Sequence, residues 1–429
     1  MVQHETLGYV DLGILVPHHT VAHLKPTLLT SSTHFPAKVE PSIETVTMSY
    51  SELSSCFLSL MLVLAFGRVG IGQEKLRVDN ETVAVVESPW VEQKVGTDAD
   101  LRGLCVVDSN VVWGSGTDGT VVYSADAGKT WSVRKVANEP GYDLRDIEAL
   151  DEATAIVINS GDPAHILRTT NGGLRWKQVL EYPKKGVFFK SVSFWDDQRG
   201  IVMGDPIDGS VLLLRTQDGG VSWKQLREEH RPNMEFGETG FAASGTNMQT
   251  RGQSSVYIGL GGGKSGQTKN SSRMLVSSDY CKTWTVGSLP LKRGKTSGIF
   301  SVHFINDTDG VAVGGDYQKQ DSTEDNYAFT SNGGKTWATP SPRVPPTGFR
   351  TCVAQYVSGK EIGLVAVGPN GTDLSTDSGH KWRRISDKGF TVVRFSPDGK
   401  YGWAAGANGR IAKWKMPKIV KKSKSTAAK

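Results

Sequence analysis

From residue 101 to 136 the chain reads LRGLCVVDSNVVWGSGTDGTVVYSADAGKTWSVRKV. Apolar and polar positions alternate in four short runs, 101–107, 111–115, 120–124 and 130–136, with turns rich in Asp, Asn and Gly between them. A period of two predicts strands, and no stretch of similar length has helical spacing. The four runs predict an antiparallel meander. Both of its faces are apolar, so it has to stack on neighbours, and radial stacking gives a β-propeller.

The turn before the last run is written six times. SADAGKTW at 124–131 returns as TTNGGLRW (169–176), TQDGGVSW (216–223), SSDYCKTW (277–284), TSNGGKTW (330–337) and STDSGHKW (375–382). The steps from Trp to Trp are 45, 47, 61, 53 and 45 residues, the length of a four-stranded blade. In this octet Asp126, Asn171, Asp218, Asp279, Asn332 and Asp377 are expected to accept backbone N–H groups inside the hairpin from third to fourth strand. The central Gly permits a positive φ, and the Trp opens the outer strand and fills the gap between blades. The fourth copy has Cys281 where Gly is usual, which predicts a strained turn.

Six blades are expected at 101–136, 144–182, 188–228, 238–290, 298–342 and 349–386. A seventh, at 390–415, has three strands and no octet. SPWVEQKV at 88–95 resembles the outer strands and is expected to complete that blade. The reading is an all-β, seven-bladed propeller over 85–416, closed by an N-terminal strand so that no sheet edge is left at the seam.

The pattern Ser/Thr-x-Asp/Asn-x-Gly-x-x-Trp is the Asp box, or BNR repeat, found in sialidases, sortilin-type receptors and photosystem II stability/assembly-factor-like proteins. The segments DLRDIEALDEATAIV, GIVMGDPIDG and FAASGTNMQ most resemble a bacterial branch of the third family, and the resemblance covers 89–414. It implies a non-catalytic scaffold that binds a partner protein or peptide, by analogy of fold. A sialidase would need an Arg-Ile-Pro motif, which does not occur. GLGGGKSG at 259–266 lacks phosphate-loop spacing and a following helix, so neither a nucleotide nor any other cofactor is expected.

Propeller geometry puts the loops from second to third strand on the same face as the starts of the first strands. Asp162, Asp205 and Asp316 lie in those loops. Arg102, Arg145, Lys190 and Arg350 share a register at the first-strand starts, and Glu238 takes that place in blade four. Glu148 and His303 lie further down their strands. These residues predict a mixed-charge channel mouth that could hold a carboxylate or a chain terminus. The alternative is that the charges pair with each other and fix the loops. If the protein is an enzyme, Asp205, Glu238 and Asp316 are the acid/base candidates for a glycan substrate, given suitable separations. A carbohydrate-binding module is a third reading. His165 is read as a surface histidine, and no metal site is expected.

Formal net charge is +5 over 429 residues, too mild to argue for nucleic acid. Three cysteines follow the N-terminal region, Cys105, Cys281 and Cys352, without a Cys-x-x-Cys, and are read as small buried hydrophobes. Residues 1–47 lack the strand pattern and are expected to be a non-native or disordered extension. Residues 48–72, with an apolar run at 56–66 and a small-x-small Gly70-Ile71-Gly72, are read as a secretory signal or an uncleaved anchor. The protein is therefore expected outside the cytoplasm, in a periplasm or extracellular space. Residues 417–429 are read as a basic disordered tail.

Overall fold

The alternation of blade one becomes four antiparallel strands in chain order, Leu101–Val106, Val112–Gly116, Thr120–Ser124 and Ser132–Lys135. The computed structural model describes residues 85–136, 141–263, 271–417 and 419–420. The segments 1–47 and 48–72 and most of the basic tail lie outside these residues, as does the end of the glycine-rich hairpin. The inner three strands of blade one are buried on both faces and the fourth is exposed. That gradient follows from radial packing, in which inner strands are sandwiched between neighbouring blades.

Blades two, three and six repeat the same order from Leu144, Phe189 and Cys352. Blade seven consists of Val392–Phe395, Gly402–Ala405, Ile411–Trp414 and, outermost, Trp90–Gln93, with Trp90 opposite Trp414 and Gln93 opposite Ile411. Trp90 is buried against Phe390, and its indole N–H donates to Thr372 in blade six at 2.9 Å.

Two blades depart from the expected plan. Blade four opens at Met248–Arg251, not at 238. Glu238–Thr239 instead pairs with Gly261–Gly262, which pairs with Ser297–Phe304, so both short strands extend the inner edge of blade five. Blade five in turn has only an isolated bridge, Phe329 to Ala338, in place of a fourth strand. The sequence ATPSPRVPP at 338–346 explains this, because its prolines remove ladder donors.

The octet closes on itself in every copy. In the first, Asp126 Oδ1 accepts from Ser124 Oγ and from the Thr130 N–H, both at 2.9 Å, and Ser124 Oγ accepts from the Gly128 N–H. The fourth and fifth octet positions both take the left-handed region. Ala127, Tyr280, Cys281 and Ser378 do so without being glycine, at φ 62°, 61°, 63° and 60°. The expected strain at Cys281 is therefore present and extends to its neighbour. Trp223 and Trp382 sit in the gaps towards blades two and five. Burying a Trp is worth roughly 4–6 kcal/mol by area, against about 1 kcal/mol for a net hydrogen bond. The Trp thus holds blades together, and the Asp or Asn sets the turn that aims it.

Between blades three and four the chain crosses the ring. Ser244 Oγ donates to the Thr351 carbonyl of blade six at 2.8 Å, and Thr246 Oγ1 donates to Ser301 of blade five at 2.7 Å. The Asn247 amide reaches Met203 of blade three. Gly245, at φ 71°, lies on the Asp146 carboxylate of blade two, where a Cβ would come within 2.3 Å of both oxygens. The strap Phe241-Ala-Ala-Ser-Gly-Thr-Asn247 therefore joins four blades and divides the central channel into a mouth and a lower chamber.

Candidate functional site

The first strand of each of blades one, two and three carries a bulge near its start, after Leu101, Leu144 and Phe189. The bulge turns out one side chain per blade, namely Arg102, Arg145 and Lys190. Asp143 accepts from both arginines, at 2.8 Å from Arg102 and 2.7 Å from Arg145. Lys190 pairs with Asp205 at 2.8 Å, and Asp205 also accepts from Thr239 Oγ1. Phe188 lies under both Arg145 and Lys190, its ring centroid 5.0 and 4.1 Å from their charged groups. Burial holds the Lys190 amine below its usual range, and the Asp205 charge opposes that shift. Arg102, Arg145 and Lys190 against Asp143 and Asp205 leave one net positive charge on this arc.

Across the ring lies an aromatic cluster in which Phe300 and Phe349 are buried and Phe241 and Tyr317 half-buried. Phe300 occupies the bulge of blade five, the position held by arginine or lysine in blades one to three. Phe241 of the strap stacks on it at 4.2 Å, Phe349 meets it edge-on at 4.6 Å, and Tyr317 closes the group. Sequence reasoning missed this cluster. Its signal was Phe300, which falls in the same register as the basic residues.

Several expected mouth residues have different surroundings. Arg350 is fully buried and pairs with Asp373, also fully buried, while donating to Asn370 and Thr347. Glu238 has no exposed side-chain surface and lies between Arg273 and Arg293. Those two residues hold loops together, and the Arg102–Asp143–Arg145 and Lys190–Asp205 pairs likewise follow the charge-pairing alternative, though each keeps some exposed surface. Asp162 is exposed on a cis Asp-Pro turn, and Asp316 is half-buried, accepting from the Gln318 N–H. His165 is not a surface residue. It is 4 % exposed, against the Tyr142 hydroxyl and the Glu181 carboxylate. Cys105, Cys281 and Cys352 are buried free thiols, and burial pushes Cys281 up to about 12. Among the described residues no three His, Cys, Asp or Glu side chains converge to hold a metal ion.

The family model described as photosynthesis system II assembly factor YCF48 matches residues 82–186, which include Arg102, Asp143 and Arg145. No curated protein matches. Among solved structures, "YCF48 bound to D1 peptide" is 18% identical, covers 77% of this chain and 97% of its own, and superposes with a TM-score of 0.54. YCF48 from Cyanidioschyzon merolae is 19% identical, with 76% and 99% covered and a TM-score of 0.52. The GH74 xyloglucanase from Xanthomonas campestris is 14% identical, with 76% of this chain and 53% of that one covered and a TM-score of 0.50. At these identities the structural likeness concerns the fold alone. The chain is a seven-bladed propeller similar to the photosystem II assembly factors, the family likeness carried by residues 82–186 and the fold by the whole ring.

Proposed function

We propose that this protein binds a partner polypeptide at the channel mouth and does not transform it. The observation that carries the reading is the two-sided mouth. A cationic arc of Arg102, Arg145 and Lys190 shares the mouth with the half-buried rings of Phe241 and Tyr317, which rest on the buried Phe300. Guanidinium groups bind carboxylates with directional, charge-assisted hydrogen bonds, and an aromatic shelf takes an apolar side chain. A peptide with acidic and apolar residues side by side fits both. The similar propeller bound to a D1 peptide supports a peptide ligand for the fold. Asp162, Asp205 and Asp316 rim the same face and would select against acidic crowding elsewhere on the partner. Arg350 and Glu238 contribute by holding the loops. A glycan-acting role for Asp205, Glu238 and Asp316 gains little, because Glu238 is already engaged by two arginines. Export, expected from residues 48–72, belongs to the same proposal and is tested by fractionating the source cells.

The binding test is fluorescence anisotropy with labelled peptides that combine Asp or Glu with Phe or Leu. Such peptides should bind in a salt-sensitive manner and lose binding to a folded Arg102/Arg145/Lys190→Ala variant. Equal binding by the variant, or no preference over neutral peptides, would remove the proposal.

A further inference from the structure

Below the strap, the channel holds a second set of equivalent positions. Cys105, Glu148, Ser193, Thr250, His303, Gln355 and Arg394 each pair with a residue of the second strand of their blade: Trp113, Ile156, Ile201, Val256, Val311, Leu364 and Trp403. Each blade therefore contributes one side chain at this level. Some are satisfied by neighbours. Ser193 meets Thr250 at 2.8 Å, and His303 Nε2 lies 3.4 Å from Gln355 Oε1. Arg394 differs. Its Nε is buried without a hydrogen-bond partner. It feels Glu148 and Asp146 of blade two electrostatically. Asp146 already accepts from the Ile147 and Val192 N–H groups.

Arg394 lines a cavity of about 390 Å³ that lies towards the Asp-box face. Gln249, His303, Gln355 and Arg251 also line it, as does Thr246 of the strap. Gln249 uses its oxygen to accept from the Phe304 N–H, which leaves its amide N–H groups for another partner. The volume is in the range of small-molecule sites, which run from about 300 to 1,000 Å³. A guanidinium fork whose Nε has no protein partner, flanked by two amides, is a carboxylate receptor with hydroxyl-binding neighbours.

We propose that this chamber is a second binding site, for a small hydroxylated organic carboxylate whose acid group sits on Arg394 and whose hydroxyls meet Gln249 and Gln355. Binding is tied to protonation. Burial pushes both Glu148 and Asp146 up to about 7, while Arg394 opposes that shift. When ionised they compete with the ligand for Arg394, and when protonated they do not. The other titratable or charged groups around Arg394 do not reverse this sign. They are Cys105 of blade one, Arg251 of blade four, His303 of blade five, Cys352 of blade six and Asp398 at the rim. His303 is held neutral by burial, its pKa pushed down to about 4, and Arg251 is paired with Asp307.

The test is calorimetric titration of the full chain with sodium glucuronate, with glucose as the uncharged control. Titrations are run at about pH 6 and about pH 8, on either side of the carboxyl titration. Saturable glucuronate binding is expected, tighter at the lower pH and absent for glucose. Arg394→Gln should weaken it about tenfold or more, the scale of losing a charged hydrogen-bond donor. Glu148→Gln should tighten binding at the higher pH, an effect that a purely structural role would not produce, and this arm stands even if Arg394→Gln misfolds. No saturable binding at either pH, equal binding of glucose, or an unchanged affinity in a folded Arg394→Gln variant would overturn the proposal. No partner polypeptide enters the measurement, so its outcome is separate from that of the mouth.

Discussion

Arg350 and Asp373 pair with no side-chain surface exposed on either, Arg350 Nε lying 2.7 Å from Asp373 Oδ2. The Thr347 N–H and hydroxyl complete the carboxylate's shell, and Asn370 takes another guanidinium donor. Removing one partner leaves a buried charge uncompensated. Asp373→Ala should destabilise the ring by about 3–5 kcal/mol in denaturant unfolding. Arg350→Leu combined with Asp373→Leu should recover much of that loss, since no charge then remains buried.

The strap gives a sharper test of backbone fit. Gly245→Ala asks for both a left-handed Ala and room beside the Asp146 carboxylate, where a Cβ has none. The expected cost is about 2–5 kcal/mol, the sum of the conformational and overpacking penalties. Gly252→Ala is the control. It also has positive φ, but nothing lies within 4 Å of its Cβ position. It should cost only the conformational part, about 1–2 kcal/mol in the same unfolding assay.

The octet can be improved. Ser378 is exposed and left-handed at φ 60°, where three other copies have glycine, at Gly172, Gly219 and Gly333. Ser378→Gly should raise stability by about 1 kcal/mol, because relief of the left-handed penalty exceeds the added freedom of the unfolded chain. A lower midpoint in urea would contradict this.

Stability should also fall as pH rises from about 5 to about 7.5. Asp146 and Glu148 have folded pKa values near 7, above the ordinary carboxyl range, so the folded state binds more protons than the unfolded state across this window. Their contribution is complete at low pH and is lost as they ionise. His303, pushed down to about 4, acts in the opposite direction between about 4 and 6.5, but it is one group against two. Each excess proton is worth at most about 1.4 kcal/mol per pH unit. Asp146→Asn should flatten the profile and His303→Gln should steepen it, as read from urea midpoints across the range.

The blade count was legible in the chain because each octet fixes a turn, a positive φ and a Trp at one spacing. The basic residues of the mouth were legible because Arg102, Arg145 and Lys190 share a register. Their availability was not. Whether Arg350 faces solvent or Asp373 depends on a partner 23 residues away in another strand, which no local pattern encodes. Glu238 was assigned to blade four because the octet spacing left room for a strand there. In the structure, residues 238–247 serve blade five and the strap, and their run of small residues has no alternation to reveal it. Arg394 lies in the one blade that lacks an octet, so nothing in the sequence set it within electrostatic reach of Glu148.

The strap also bears on how the molecule comes apart. In a ring where each sheet touches only its two neighbours, local opening can begin at the weakest junction and spread outward. Here residues 244–247 connect blades two, three, five and six directly. Blades two and six flank the pair that meets at the closure by residues 90–93, so fraying of that closure does not release them. Opening one blade therefore strains contacts on the far side of the axis. Amide exchange along the seven innermost strands should accordingly report a single shared opening energy instead of a gradient away from the seam.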